Sequence, residues 1–230
     1  MISHNLIENE FRKIVSEKND VVDMLLAASN LEVEIVRSAE RKDILSIAAA
    51  CHAGWRTVLY FCFYRLDEGV AQVEKIIHAL NTGVSSVRYS MAKSLAIMAA
   101  DHARGDDMYS NVIRLAIKPL ITSLKDKDVL VRREAASALT FIKNSQTVEP
   151  LIVSLKDQDA DVRKTATRAF IFMKDLRAIE PLIDALNDSE HSVREVAAEA
   201  LTSTTGKKFF WGNKSQKKWR IWWAANKTNF

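Results

Sequence analysis

Proline, glycine and cysteine are scarce in this chain: three, six and two residues among 230. So few prolines and glycines leave little room for irregular structure, and few stretches alternate in the manner of strands, so the chain reads as all-α. Cys51 and Cys62 stand at no metal-ligand spacing and are expected to be reduced and buried. No run of 18 uncharged apolar residues occurs, and no secretory signal pattern opens the chain, so a soluble cytoplasmic protein without membrane contact is expected. No Gly-rich phosphate loop or nucleophile–base constellation is present either, and no catalytic residue, metal ligand or cofactor is nominated.

What is present is a repeat. The only prolines, Pro119, Pro150 and Pro181, are spaced 31 residues apart. Around them Leu120, Leu151 and Leu182 keep step, as do Asp126, Asp157 and Asp188, then Val131, Val162 and Val193. Arg132, Arg163 and Arg194 follow, with Ala135, Ala166, Ala197 and Ala138, Ala169, Ala200 behind them. Self-similarity at such a period marks a repeat architecture. Proline is tolerated in a first helical turn, so each one reads as a helix start. An acidic turn such as Asp157–Asp161 then separates the first helix from a second, whose apolar face carries Val162, Ala166, Ala169 and Phe170. Each unit is a helix hairpin too small to bury its face alone, and stacking on its neighbours completes the core. The recurring arginines, with Arg88 in the unit before, read as framework residues that tie one turn to the next unit.

The succession Pro-Leu-Ile, Leu-x-Asp, Val-Arg and Ala-x-x-Ala-Leu resembles the short HEAT-like repeat of the phycobilisome-lyase type. The resemblance implies an armadillo-like right-handed α-α superhelix, a solenoid of about five hairpins with terminal caps. Within one such domain over 1–230, residues 1–42 read as an N-terminal helical cap and 43–69 as a degenerate repeat. Residues 70–98 form a plainer repeat and 99–111 an insertion, read either as a binding edge or as a lengthened helix with a solvated connector. Regular repeats follow at 112–146, 147–177 and 178–203, and 204–230 is a terminal cap. In the first 42 residues a helix over 2–19 is expected, then a second from Asn19-Asp20 and a third from Leu31, broken at Ser29-Asn30. The aromatic group at Trp55, Tyr60, Phe61, Phe63 and Tyr64 is expected to pack an N-terminal core. His102 with Asp101, Asp106 and Asp107 reads as an exposed loop rather than a metal site.

The tail differs in kind. Residues 204–230 hold Lys207, Lys208, Lys214, Lys217, Lys218, Arg220 and Lys227 and no acid, so the net charge of +4 divides into +7 here and −3 elsewhere. Four of the five tryptophans, Trp211, Trp219, Trp222 and Trp223, also lie here. Bases and aromatics together can bind nucleic acid. Yet Trp219, Trp222 and Trp223 share one helix face and are expected to close the end of the solenoid.

Chemistry known from HEAT-like chains finds few of its residues here. Iron-dependent hydroxylases of this architecture use His-Glu dipeptides, and none occurs; the nearest is the reversed Glu190-His191. The resemblance also extends to chromophore lyases, but no cysteine or histidine arrangement commits the chain to bilin handling. A scaffold that binds a protein or peptide is therefore the leading expectation. Nucleic-acid binding through the tail is the alternative, and phycobilin handling a distant third. Candidate contacts are the outward second-helix positions that escape the repeat pattern: Arg133, Ser137 and Phe141, Lys164, Arg168 and Phe172, then Glu195 and Glu199.

Overall fold

Helices account for all the regular structure among the described residues, as expected of a chain so poor in glycine and proline. The structure, a computed structural model, describes residues 4–18, 20–38, 51, 54–56, 58–59, 69–105, 109–209 and 215–229. Most of the degenerate repeat at 43–69, and with it Tyr60, Phe61, Cys62, Phe63 and Tyr64, lies outside these residues, as do Asp106, Asp107, Trp211 and Lys214. The chain divides into two compact units, 1–119 and 120–230.

In the first unit, α1 (His4–Glu17) and α2 (Val21–Ser38) precede α3 (Gly69–Thr82) and α4 (Ser85–Ala103). α1 buries Ile7 and Phe11, and Phe11 presses so closely on Gly54 that an added Cβ would fall 2.4 Å from its ring. The expected break at Ser29-Asn30 does not occur, because α2 continues through both residues to Ser38. Ser29 is itself buried, and good helical spacing of Met24, Leu25, Ala28 and Ile35 carries the helix across. α2 packs on α4 as well as on α1 and α3. The excess length after residue 98 begins as helix, since α4 runs on to Ala103 and turns at Gly105 with φ +104°. Asp101 is not an exposed loop acid. It is buried in α4, with Arg56 at 3.1 Å and Arg104 at 3.0 Å.

α5 (Ser110–Ser123) spans the boundary between the units. Here the proline reading needs correction: Pro119 lies deep inside α5 and does not start it. Val112, Ile113, Ala116, Ile117 and Leu120 are all buried, and this apolar stripe begins the helix more than two turns before the proline.

The second unit follows the repeat closely. α6 (Val129–Ile142) leads to α7 (Val148–Ser154) and α8 (Ala160–Met173), then α9 (Ile179–Ala185), α10 (His191–Thr205) and α11 (Ser215–Asn226). Pro150 and Pro181 are the third residues of α7 and α9, in the first turn as proline geometry prefers. α8 lies between α6 and α10, and the alanines at 135, 138, 166, 169, 197 and 200 are fully buried where these helices meet. Asp128 and Asp159 accept backbone N–H bonds at the starts of α6 and α8. Lys143 and Lys174, also 31 apart, end these helices in the left-handed region at φ 50° and 52°, whereas Gly206 takes that role for α10.

The fold is an all-α, HEAT-like solenoid. No helix among the described residues is long and apolar enough to cross a membrane.

Candidate functional site

Framework and surface separate clearly along α6, α8 and α10. The guanidinium of Arg132 reaches forward from α6 to both carboxylate oxygens of Asp157, at 2.8 and 2.9 Å. Its Nη1 meanwhile donates to the carbonyls of Asp126 and Lys127 in its own turn. Arg163 repeats the arrangement with Asp188 and with the carbonyls of Asp157 and Gln158. Arg194 donates to the carbonyls of Asp188 and Ser189. Arg88 holds the Gly83 carbonyl at 2.8 Å in the first unit. Hydrogen bonds that each guanidinium donates to its partner carboxylate come first among the causes that push the Arg132 and Arg163 pKa values upward, against the cost of burial. These arginines are occupied within the scaffold.

The positions next to them point elsewhere. Arg133, Ser137 and Phe141 on α6, Lys164, Arg168 and Phe172 on α8, and Glu199 on α10 line one depression of about 530 Å³. The eighth nominated position, Glu195, lies outside it, one turn nearer the start of α10, where its carboxylate stands 3.7 Å from His191. The i, i+4, i+8 spacing of each triplet puts its members on one helix face, so charge lies at one end and phenylalanine at the other. Phe172 is 47% exposed, which is unusual for so large an apolar side chain, and Lys143 stands over its ring at 6.0 Å.

Sequence pattern alone missed Glu134, Thr140, Asp161, Thr165 and Ile171, which also line the depression. Asp161 and Thr165 precede Lys164 and Arg168 by three residues, so the helical period around the nominated positions was the available signal. Glu134 takes up Arg133 at 3.2 Å.

The tail forms a second depression, of about 320 Å³, lined by Glu180, Ile183 and Asp184 of α9 with Arg220, Trp223, Ala224 and Lys227. α11 packs on α9, the first helix of the last hairpin. Arg220 bonds Asp184 at 2.7 Å, and Gln216 accepts from Asn187, so polar anchors on the α9 side set the docking. Trp219 is fully buried, with Phe209 and Trp222 edge-on to it at 4.8 and 5.6 Å; Trp222 and Trp223 are only half-buried.

In the first unit a polar cluster joins the helices. The Trp55 indole donates to Glu32 at 2.8 Å, and Lys93 bonds the same carboxylate while lying 5.7 Å from the ring centres of Trp55 and Tyr89. Cys51 is buried nearby, and burial, aided by the Glu32 charge, pushes its thiol up to about 11. That thiol is held inert.

Residues 117–202 match the family model of HEAT repeats. No curated protein matches the chain. Among solved structures it is similar to an engineered protein at 19% identity and TM-score 0.56, covering 88% of this chain and 98% of the other. A second engineered protein gives 21% identity and TM-score 0.55, with 89% and 92% covered. A designed armadillo repeat protein in complex with the peptide (KR)4 gives 18% identity and TM-score 0.53, covering 86% and 91%. At such identities the likeness is one of fold.

Proposed function

We propose that this protein is a non-catalytic scaffold that binds a protein or peptide segment on the face made by α6, α8 and α10. The observation that carries this reading is the depression itself: seven of the eight surface positions free of the repeat pattern border it together. An exposed phenylalanine among charged groups is a surface suited to recognition, because burying the ring on association is favourable while the polar neighbours confer selectivity. The similar armadillo protein that holds a peptide adds support from a fold of the same kind. Panning a displayed library of unstructured peptides against the immobilised protein tests it, with an Arg168→Glu/Phe172→Ala variant as the counter-selection. Peptides that bind the wild type and lose the variant are expected; enrichment of peptides indifferent to both substitutions would overturn the assignment.

A second reading, nucleic-acid binding by the tail, rests on the exposure of Lys207, Lys208, Lys217 and Lys218. Against it, the aromatic rings of Phe209, Trp219 and Trp222 pack edge-on against one another, rather than offering open faces for bases. Fluorescence anisotropy with labelled DNA and RNA, on the full chain and on one ending at residue 206, separates the two readings.

A further inference from the structure

The binding face is ordered in two directions, and the order specifies its ligand. Along α8, Lys164, Arg168 and Phe172 are four residues apart, so a turn of about 6 Å separates each from the next and about 12 Å separates the first from the last. Across the helices the charge changes sign. On α6 the cation Arg133 is offset by Glu134 at 3.2 Å. Lys164 and Arg168 on α8 have no carboxylate within 4 Å among the described residues, although Asp161 shares their helix face. On α10 the corresponding positions are Glu195 and Glu199, both exposed, with His191 3.7 Å from Glu195. Lys143 adds a further cation on the aromatic side, over Phe172. The face is thus cationic along α8, anionic along α10 and aromatic at the ends of α6 and α8.

We infer, building on the reading of this face as a peptide site, that its ligand is an extended segment of mixed charge: a carboxylate over Lys164 and Arg168, a basic side chain over Glu195 and Glu199, and a large apolar side chain on Phe141 and Phe172. Packed helices lie about 8–10 Å apart. An extended chain advances about 3.3 Å per residue, so the acidic and basic residues of the ligand stand about three positions apart. A uniformly basic or uniformly acidic segment meets attraction on one helix and repulsion on the other. The charges exclude such segments as much as they attract the right one.

The test uses synthetic peptides of one length, with a central tryptophan. In one the acidic residues are grouped before the tryptophan and the basic residues after it; in another the charges alternate; all-acidic and all-basic peptides complete the set. Titration by fluorescence anisotropy on the full chain is expected to favour the grouped peptide by roughly tenfold at low ionic strength, with the advantage shrinking in about 0.5 M salt. Lys164→Glu/Arg168→Glu should abolish the preference, and combining it with Glu195→Lys/Glu199→Lys should restore it for the grouped peptide bound in the opposite direction. Circular dichroism of each variant confirms that the helices persist. If all four peptides bind equally and Phe172→Ala weakens them equally, the charge inference falls while the peptide site stands. If none binds in a manner sensitive to Phe172 or Arg168, both fall together.

Discussion

Arg163 grips the carboxylate of Asp188, 25 positions ahead, through parallel hydrogen bonds of 2.7 and 2.8 Å from Nε and Nη2. Asp188 in turn accepts the backbone N–H of Glu190 at 2.9 Å, shaping the turn that begins α10. One carboxylate therefore joins two consecutive hairpins and organises the second. Both side chains are largely buried, with 12% and 9% of their surfaces exposed, so the pair cannot be broken without stranding a charge.

Arg163→Ala should accordingly destabilise the protein by about 3 kcal/mol. Lys164→Ala, one residue on and outside the framework, should remain within about 0.5 kcal/mol of the wild type. Urea unfolding measures both. Equal losses would mean that the surface and framework phases of α8 have been confused.

Acid should weaken the same joint. Burial works to raise the carboxyl pKa of Asp188, but the hydrogen bonds from Arg163 and Glu190 and the Arg163 charge outweigh it and hold the group below its ordinary value. A depressed folded-state pKa contributes stability that is present above the unfolded value near 3.9 and lost as pH falls through the folded value. Unfolding free energy should thus decline below about pH 4. Asp188→Asn should be less stable at neutral pH and decline more shallowly, whereas parallel pH curves would remove Asp188 from the account.

Read as a cap, the tail depends on one indole above all. Trp219→Ala should cost about 3–5 kcal/mol, because it empties a fully buried site, and Trp222→Ala, half-buried, distinctly less. Removal of residues 207–230 should lower the melting temperature and promote aggregation by uncovering α9. An unchanged melting temperature would show that the tail is an appendage.

Lys174 pays a conformational cost at φ 52°, where glycine is at ease. Lys174→Gly should raise stability by about 0.5 kcal/mol despite glycine's greater freedom in the unfolded chain, and Lys174→Ala should not. Thermal unfolding of the two variants checks the sign.

The helix hairpins from Leu120 to Leu201 were legible in the sequence because each depends on local rules repeated in phase: proline in a first turn, aspartate before a second helix, alanine where helices meet. The nominated surface residues were legible by contrast, as positions that leave the repeat while Val131, Arg132 and Ala135 keep it. Local signals mislead where packing overrides them. Pro119 keeps the phase of the repeat but does not start its helix, because the buried stripe from Val112 to Leu120 begins it earlier, and Ser29-Asn30 does not break α2, which runs through both.

What the sequence determined by itself was the period, and with it the fold, since helix starts and apolar phase are set by residues within a turn or two of each other. Only the tertiary structure decided that Arg132 and Arg163 take Asp157 and Asp188 as their bidentate partners, that Lys143 stands over Phe172, and that the tryptophan helix packs on α9. These depend on which surfaces meet after the hairpins have formed, and residues 25 or more positions apart are joined by packing and charge that no local pattern encodes.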